Sequence, residues 1–382
     1  MKSQSIIIVG ASTRAAAFSA LAGGLSPICA DQFADADLAL RCGVSPVTAY
    51  PEGFEPFVRH VPGQAWMYTG ALENYLALVA RLAAHKTLWG NNPQVLARAR
   101  DPLTVHRLLG AAGLASPQIQ QTADLLRRDG TWLRKLRRSS GGLGVSIWDA
   151  GAEKAADDHY FQRFVSGDSC AAIYVSSPDG QTRFLGATEQ LLRPAPGSVR
   201  PFRYVGSVGP LRLDDRAAQT LVKIGQTLTS GLGLVGVWGV DYIDDGRDIW
   251  PIEVNPRYTA SVEILERSLA FSAVARHVAA CRDGILFTEQ PLSPDALWHG
   301  KRIIYAVHDV DIDRAFVERS LTENAGGTMP TIADIPTAGT SIKQGRPVMT
   351  VFAQAVTRDD VVVELERVAQ DWQRRLSEGV TV

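Results

Sequence analysis

Two strand-like segments joined by an acidic turn constrain this chain more than any other feature of its sequence. Residues 237–243, Val-Trp-Gly-Val-Asp-Tyr-Ile, predict a strand, and residues 249–255 predict the strand that returns after the turn Asp-Asp-Gly-Arg-Asp. A hairpin of this length brings Asp241 opposite Glu253. Two acidic side chains facing each other across a hairpin make it a candidate site for a cation.

Side chains alternate along a strand, so Glu253 and Asn255 are predicted to share one face, roughly 7 Å apart. With Asp241 they offer three oxygen ligands, and Arg257 follows at once. This donor set suits magnesium that carries nucleotide phosphates, whereas a polar strand face that is only solvated is the alternative. The same alternation assigns Ile249 and Pro251 to the polar face, and Trp250, Ile252 and Val254 to an apolar core face.

A basic, glycine-rich stretch at residues 134–144 lies between two strand-like pieces of residues 131–147. Glycines let backbone N–H groups close around a phosphate, while hydroxyl and basic side chains add donors and charge. The P-loop pattern is absent, so we expect a hairpin that grips phosphate; a solvated hairpin tip is the alternative. The residues of this predicted grip are Lys135, Arg138, Ser139, Ser140, Gly141 and Gly142.

One glycine pattern is excluded as a dinucleotide site. Residues 231–236 match Gly-x-Gly-x-x-Gly, but a predicted helix precedes them and a strand follows, which reverses the order that such a site needs. They predict instead the end of a helix and a tight turn into the strand that carries Asp241. Residues 10–14 lie in the right order but contain a single glycine, so cofactor binding there is unsupported.

Composition and charge exclude several classes of protein. A chain of 382 residues has room for two or three domains, and its net charge of −1 gives no general attraction to nucleic acid or anionic membranes. It contains no apolar run of the ~20 residues that a membrane-spanning helix needs. Its four scattered cysteines form no Cys-x-x-Cys pair, which argues against structural zinc and suits a reducing cytoplasm. We therefore expect a cytoplasmic protein without nucleic-acid or membrane partners.

The order of predicted elements indicates an α/β protein with further domains. A β-α-β opening spans residues 5–31, and helices are predicted at 72–84, 101–113 and 216–230. Two prolines within residues 291–294 mark a boundary. The predicted domains are residues 1–90, 91–290 (with a lid subdomain at about 118–165) and 291–382.

A phosphate-gripping hairpin ahead of an Asp…Glu-x-Asn-Pro-Arg hairpin resembles the ATP-grasp ligases, over almost the full length of the chain. Residues 30–35 resemble the end of the second strand of the domain that precedes the grasp. Residues 68–75 resemble the predicted carboligase branch, which includes the tyramine–glutamate ligase of methanofuran synthesis. Residues 333–339 and 345–353 resemble its C-terminal domain, similar to that of biotin carboxylase. The implied fold class is α/β (α+β): an ATP-grasp fold with a Rossmann-like N-terminal domain and a small C-terminal domain.

The resemblance also implies a site for ATP with Mg²⁺, or Mn²⁺ in its place. Lys135 would contact the phosphates under a closing loop of residues 139–144, and Arg257 would contact the transferred phosphate or acyl phosphate. The linker at residues 161–165 would meet adenine through its backbone, and Asp168 would meet the ribose. The implied linker residues are Gln162, Phe164 and Val165, and the implied metal ligands are Asp241, Glu253 and Asn255.

Two positions depart from the family pattern. Pro102 stands where a lysine is usual after the aspartate that begins a helix, and Leu136 stands where a proline usually follows Lys135. Arg100 or Arg107 could replace the missing lysine, although a guanidinium is a forked donor and not a point charge.

The function that the resemblance implies is ATP-dependent ligation of a carboxylate to an amine. A carboxylate does not condense with an amine at neutral pH, whereas an acyl phosphate made from ATP does, so the site needs cations and a metal but no nucleophile. We expect glutamate to be added to a one-carbon carrier cofactor of the methylofuran or tetrahydromethanopterin type, by a homodimer as is frequent in this superfamily. A bicarbonate-dependent carboxylase and a non-catalytic nucleotide-binding scaffold are the alternatives.

Overall fold

The structure of the protein is a computed structural model. None of the helices that it describes is both long enough and apolar enough to span a bilayer. It describes residues 4–151, 158–192, 201–288, 292–293, 295–324 and 330–378.

The N-terminal part is a five-stranded sheet whose pairings are all parallel. Its central strand is a continuous apolar run, Ile6 to Val9, with no exposed surface, as expected where helices cover both faces of a parallel sheet. The predicted β-α-β opening is confirmed. Its strands are β1 (Ser5–Gly10), β2 (Ser26–Asp31), β3 (Gly43–Pro46), β4 (Ala65–Tyr68) and β5 (Thr87–Leu88), and its helices are α1 (Arg14–Ala22), α2 (Ala36–Ala39), α3 (Phe54–His60) and α4 (Leu76–His85).

The helix predicted over residues 72–84 is divided in two, so that prediction is wrong in its first turn. A 3-10 turn spans Leu72–Asn74, and α4 begins only after Tyr75, whose backbone is not helical. The break has a tertiary cause. The turn directs Glu73 and Asn74 toward two arginines from other parts of the chain, described below.

A four-stranded sheet, here called the lid sheet, follows two helices, and its strands lie in the order Ile119–Gln120, His159–Arg163, Asp129–Leu136 and Val145–Asp149. It packs around Trp132, Trp148 and Phe161. Residues 137–144, the basic loop, join the two strands of the hairpin at one edge of this sheet, as predicted. The elements are α5 (Pro93–Ala99), α6 (Pro102–Ala111), β6 (Ile119–Gln120), β7 (Asp129–Leu136), β8 (Val145–Asp149) and β9 (His159–Arg163).

An eight-stranded sheet forms the centre of the molecule, and a two-stranded ladder lies beside it. The remaining strands are β10 (Asp168–Ser176), β11 (Thr182–Leu191), β12 (Gly206–Gly209), β13 (Gly236–Asp244), β14 (Ile249–Asn255), β15 (Trp298–Tyr305), β16 (Val310–Asp311), β17 (Ile332–Ala333), β18 (Ser341–Ile342) and β19 (Pro347–Ala355). The remaining helices are α7 (Asp215–Leu232), α8 (Val262–Leu269), α9 (Ala273–Asp283), α10 (Arg314–Glu323) and α11 (Arg358–Glu378).

The large sheet has the order β14-β13-β10-β11-β12-β15-β19-β17, so it contains strands from both sides of the boundary predicted near residue 291. Strand β12 pairs with β15 across it. Pro291 and Pro294 themselves lie outside the described residues, and the predicted division into domains stays a prediction.

Residues 231–236, the glycine pattern excluded as a dinucleotide site, form the helix end and tight turn that the sequence predicted. Helix α7 ends at Leu232, and Gly233 caps it with a φ of 80°. Strand β13 begins at Gly236, where φ is 76° and a Cβ atom would lie 2.4 Å from the His277 ring. Glycine is therefore required at both ends of the turn because an L side chain would be strained there, and at Gly236 it would also clash.

Candidate active site

The register of the β13–β14 hairpin confirms the predicted pairing of its two acids. Asp241 is the Cα partner of Glu253, and Val240 is the partner of Val254. The pairing is antiparallel, so the two carboxylates start from directly opposed positions.

The alternation predicted for β14 is wrong on the N-terminal side of Glu253. Tyr242 pairs with Pro251 while Asp241 pairs with Glu253, so Ile252 is an extra residue that forms a β-bulge. The bulge turns Ile249 and Pro251 away from the polar face, and Ile249 shares a core with Val254. Proline has no N–H to donate to the ladder, which makes this position suited to a bulge.

The bulge also presents a backbone acceptor to the site. The carbonyl of Ile252 accepts hydrogen bonds from Nζ of Lys135 at 3.4 Å and from Nε2 of Gln162 at 3.3 Å. The large sheet and the lid sheet are thereby joined at the predicted site.

The three predicted metal ligands lie together on one face. Asn255 donates from Nδ2 to Oδ2 of Asp241 at 3.1 Å, and Oδ1 of Asp241 accepts from Nε2 of Gln190 at 2.9 Å. Burial raises the pKa of Asp241, and the negative charge of Glu253 raises it further. Arg257 and Lys135 act in the opposite direction, but the pKa of Asp241 stays above its ordinary value.

A hard divalent cation fits this donor set, because two carboxylates and an amide are all oxygen donors and the two carboxylates repel each other. Among the described residues, no cluster of three or more His, Cys, Asp and Glu side chains is suited to a metal ion. Asp241, Glu253 and Asn255 do not form such a cluster, because the third of them is an amide and not one of those four residue types.

Arg100 is the cation closest to Glu253. Its Nη1 forms an ion pair with Oε1 of Glu253. Its Nη2 donates to the carbonyls of Ser139 at 3.2 Å and Arg137 at 3.4 Å, and to Oδ1 of Asn74 at 3.2 Å. The burial of Glu253 alone would raise its pKa, but Arg100 and then Lys135 lower it below its ordinary value.

The structure thus separates the two arginines that could replace the usual lysine. Pro102 begins α6, and Asp101 caps that helix by accepting the N–H of Thr104 at 3.1 Å. Arg107 is exposed and donates to the carbonyl of Leu103 on its own helix at 3.2 Å. Arg100, one residue ahead of the cap, occupies the site.

Lys135 is buried at the end of β7. Its Nζ donates to Oε1 of Gln162 at 3.1 Å and lies 5.8 Å from the centre of the Tyr160 ring. Burial lowers the pKa of Lys135, whereas Tyr160, Glu253 and Asp241 raise it, and the net shift is upward, so the amine stays a cation. It is the charge that the sequence predicted for the phosphates.

The basic loop lies against the segment that leads into β12. The N–H of Tyr204 donates to the carbonyl of Gly141 at 3.2 Å. Gly142 has a φ of 74°, and a Cβ atom there would lie 1.8 Å from the carbonyl oxygen of Phe202. The loop is therefore closed over the site, and its glycine is what allows the close approach. Ser140 and Arg138 are exposed on it.

Two spaces adjoin this loop. A small pocket of about 50 Å³ is lined by Arg100, Lys135, Gln162 and Glu253. A large cavity of about 830 Å³ extends between the N-terminal sheet, the large sheet and the C-terminal elements, and Arg257 lines it. Ser140 lines both, so the two spaces meet at the basic loop.

Residues 99–261 match a family model whose description is ATP-grasp domain. The fold is the ATP-grasp fold. The fold class expected from the resemblance is therefore confirmed.

Solved ATP-grasp structures match the chain over most of its length. N5-carboxyaminoimidazole ribonucleotide synthetase from Thermotoga maritima is 15% identical with a TM-score of 0.68, covering 96% of this chain and 98% of that one. The L-amino acid ligase from Bacillus licheniformis is 16% identical with a TM-score of 0.68, covering 97% and 98%. The biotin carboxylase domain of 2-oxoglutarate carboxylase from Hydrogenobacter thermophilus, solved with MgADP, ADP and bicarbonate, is 13% identical with a TM-score of 0.72, covering 94% and 88%.

Arg257, the last residue of the run Glu-x-Asn-Pro-Arg, is positioned by the turn at residues 72–74. Its Nε donates to Oε1 of the buried Glu73 at 2.8 Å, and its Nη2 donates to Oδ1 of Asn255 at 3.3 Å. Sequence reasoning missed the role of Glu73. The signal available for it was the resemblance of residues 68–75 to one branch of the family.

Five predicted nucleotide contacts do not line the small pocket, namely Arg138 and Gly141 of the basic loop and three residues in and after the linker that follows β9. Phe164 and Val165 lie beyond the end of β9, where the N–H of Phe164 donates to the carbonyl of Thr131 at 3.0 Å. Asp168 is the exposed first residue of β10 and pairs with Asp244. Their assignment to adenine and ribose in the ATP-grasp fold stays a prediction.

A buried ion network beside the large cavity was also missed. Arg14 forms ion pairs with Glu263 and, from Nε at 2.9 Å, with Asp334, while Nζ of Lys301 lies 3.2 Å from Glu263. The network joins an N-terminal helix to elements some 250 and 320 residues later. Isolated charged residues so distant in sequence carry no local pattern that predicts their contact.

Proposed function

We propose that this protein is an ATP- and Mg²⁺-dependent ligase that joins a carboxylate to an amine through an acyl phosphate. The observation that carries the proposal is the meeting of the two spaces at Ser140. The small pocket holds the cations and acids suited to nucleotide phosphates, and the large cavity has room for two small substrates. A phosphoryl group at their junction is within reach of both.

The nucleotide phosphates would lie against Lys135, Arg100 and the basic loop. The volume of about 50 Å³ holds only a water molecule or two, whereas ligand sites measure roughly 300–1,000 Å³. Admission of ATP therefore requires the lid sheet to move away from the hairpin. Closure afterwards would exclude water from the acyl phosphate.

Magnesium, or manganese in its place, would be held by Asp241, Glu253 and Asn255. When bound, it offsets the charge of the phosphates and of both carboxylates. Arg257 adds a second positive charge on the side of the large cavity, and Glu73 holds its guanidinium in one orientation. These groups stabilise the charge that develops on phosphoryl oxygens, so no protein nucleophile is needed.

We also propose the identity of the two substrates. The resemblance of residues 68–75 and 333–339 to the carboligase branch supports the addition of glutamate to a one-carbon carrier cofactor of the methylofuran or tetrahydromethanopterin type. The fold likeness to an L-amino acid ligase supports chemistry that makes a carbon–nitrogen bond. A homodimer would be visible by sedimentation.

A bicarbonate-dependent carboxylase is the second candidate, supported by the fold likeness to a biotin carboxylase domain solved with bicarbonate. A non-catalytic scaffold is disfavoured, because Arg100 supplies the cation that Pro102 removed.

The test uses the purified protein with MgATP and a panel of acids, namely the proteinogenic amino acids, C4 and C5 dicarboxylates and bicarbonate. Hydroxylamine, a neutral nucleophile at neutral pH, traps acyl phosphates as hydroxamates. ADP release with hydroxamate formation for one acid supports the ligase. ADP release with bicarbonate alone supports the carboxylase. If no acid causes ADP release, both the ligase and the carboxylase are contradicted.

A further inference from the structure

Four carboxyl groups lie close together beside the large cavity, where β2 ends and α2 begins. Such a cluster is costly unless each group is satisfied by donors or counter-charges. The four differ sharply in how they are satisfied. They belong to Asp31, Asp35, Asp37 and Asp334.

Asp31 is fully occupied by local donors. Its Oδ2 accepts from the N–H of Thr13 at 2.6 Å and from the hydroxyl of the same residue at 2.8 Å. Its Oδ1 accepts the N–H groups of Phe33 and Ala34, both at 2.8 Å. This carboxylate organises the turn that follows β2.

Asp37 and Asp334 each accept hydrogen bonds from residues distant in the chain. Asp37 accepts the N–H groups of Asp334 at 3.1 Å and Ile335 at 3.0 Å. Asp334 accepts from Nε of Arg14 at 2.9 Å and from the hydroxyl of Thr350 at 2.5 Å. Both carboxylates therefore join the C-terminal elements to the N-terminal ones.

Asp35 is different. Its side chain is only 5% exposed and lines the large cavity, and no donor among the described residues reaches its carboxyl group. It precedes α2, but its side chain makes no capping hydrogen bond to that helix. Burial raises the pKa of Asp35 well above its ordinary value, and Asp334, Asp31 and Asp37 raise it further, against Arg14.

Two buried cations beside the cavity are already engaged, and no ion pair among the described residues includes Asp35. Arg14 is shared between Glu263 and Asp334, and Lys301 is paired with Glu263. Arg346 also lines the cavity, but it is exposed and makes no bond to Asp35. A positively charged group from outside the chain that carries hydrogen-bond donors would satisfy this carboxyl group. The half-exposed ring of Phe33 lines the same cavity and offers a π-face to such a cation.

We propose that Asp35 binds the ammonium group of the amine substrate, and that this substrate is a primary amine carried as a cation. The inference rests on the proposed function and extends it by naming the amine subsite. Arg257, in the same cavity, lies on the side of the acyl phosphate, so the nucleophile approaches from the Asp35 side.

The proton balance of the amide-forming step explains why a carboxylate is needed there. The bound cation favours the carboxylate form of Asp35, whose own proton passes to solvent when the amine binds. An ammonium ion has no lone pair, so it then gives one proton to this carboxylate. The nitrogen lone pair then attacks the acyl carbon, the carbon–nitrogen bond forms, and the bond from the acyl carbon to the phosphate oxygen breaks. Phosphate leaves with that electron pair and takes the second proton, and Asp35 releases the first to solvent.

The inference is tested by binding and by turnover, with Asp35→Asn, which keeps the size of the side chain and removes its charge. The thermal midpoint is measured with putrescine, ethanolamine and methylamine, and with the neutral isosteres butanediol and ethylene glycol. We expect the amines to raise the midpoint of the wild type and not of the variant, while the neutral compounds raise neither. The exposed Asp309→Asn is the matched control and should respond like the wild type.

Turnover is measured with the acid that gives hydroxamate. Asp35→Asn should keep hydroxamate formation within about threefold, because hydroxylamine needs no charge partner. Its kcat/KM for primary amines should fall by about 100-fold or more, the usual effect of removing a buried charge partner. The midpoint without ligand should not fall, since no hydrogen bond is lost.

Each result decides one proposal. Amines that stabilise the wild type and Asp35→Asn equally, or stabilise neither, overturn the amine subsite. A parallel loss of hydroxamate and amide formation overturns it as well, because Asp35 would then act on the acyl phosphate. Amine binding that depends on Asp35, without ADP release for any acid, keeps the subsite and contradicts the ligase.

Discussion

Arg100 forms an ion pair with Glu253 across the interface between the helix pair α5–α6 and the central hairpin. The same guanidinium donates to the carbonyls of Arg137 and Ser139 in the basic loop. One side chain therefore connects the predicted metal site to the loop predicted to cover the phosphates. A lysine, with a single ammonium, would not make this forked set of contacts.

Arg100→Ala should lower kcat/KM for ATP by at least about 100-fold, because Glu253 loses its counter-charge and the basic loop loses its anchor. ADP release at varied MgATP gives the value. Arg107→Ala is the matched control, since Arg107 is exposed and bonds within its own helix. Equal effects of the two substitutions would remove Arg100 from the site.

Glu253→Gln should abolish ATP turnover while leaving the protein folded, because the neutral amide binds a divalent cation much more weakly. The change is followed by ADP release during a titration of Mg²⁺ and Mn²⁺, with circular dichroism as the check on folding. Asp248→Asn, on the exposed turn of the same hairpin, should behave as the wild type. Turnover that survives in Glu253→Gln would contradict the metal assignment.

Lys135→Ala should weaken nucleotide binding by about 10-fold or more, because a buried cation next to the phosphates is lost. Isothermal titration with MgADP measures the dissociation constant. The exposed Lys223→Ala on α7 controls for the change of net charge. An unchanged affinity in Lys135→Ala would mean that the phosphates lie elsewhere.

Gly142→Ala should prevent the basic loop from closing, because the added Cβ would lie 1.8 Å from the carbonyl oxygen of Phe202. Gly141→Ala is a close control: its φ of 61° is also left-handed, but a Cβ there meets open space. We expect the control to cost about 1 kcal/mol of strain, with turnover retained. Turnover and protease cleavage of the loop distinguish the two, and identical behaviour would contradict the docking role of Gly142.

Glu266 makes stability depend on pH. Burial raises its pKa to about 7, against hydrogen bonds from Ser19 and Tyr258. A carboxyl group whose folded pKa is raised stabilises the protein below its unfolded pKa of about 4.3, and this stability is lost as pH rises toward 7. Glu266→Gln should therefore reduce the fall in the free energy of unfolding over this window by about 3 kcal/mol, measured by urea titration at several pH values. An unchanged slope would contradict the assignment.

Local sequence was sufficient wherever chain neighbours decide the structure. The turn after Asp244, the rung that joins Asp241 to Glu253, and the helix end at Gly233 follow from turn chemistry and strand length. The basic loop was recognisable for the same reason, since glycines and cations are adjacent in the chain. Each of these features depends on steric and hydrogen-bonding preferences within a few residues.

The prediction of strict alternation failed in β14 because the bulge at Ile252 depends on other parts of the chain. The partner strand sets its register, and Lys135 of the lid sheet donates a hydrogen bond to the Ile252 carbonyl. Spacing also left Arg100 and Arg107 equivalent, and only packing shows that Arg100 reaches Glu253. Asp35 is one of four carboxyl groups that look alike in the sequence. The other three accept hydrogen bonds from donors of the protein, and Asp35 accepts none from the described residues.

The amino-acid sequence by itself determined the elements and the chemical character of the central hairpin and basic loop, because those properties are set by short-range sterics and hydrogen bonding. The tertiary structure alone decided which distant charges meet, as with Arg14 and Glu263, which are 249 residues apart. It also decided which buried carboxylate receives no hydrogen bond from the described residues, as with Asp35. Burial makes each unmatched charge costly, so the choice of partners depends on the whole packing arrangement and not on any one segment.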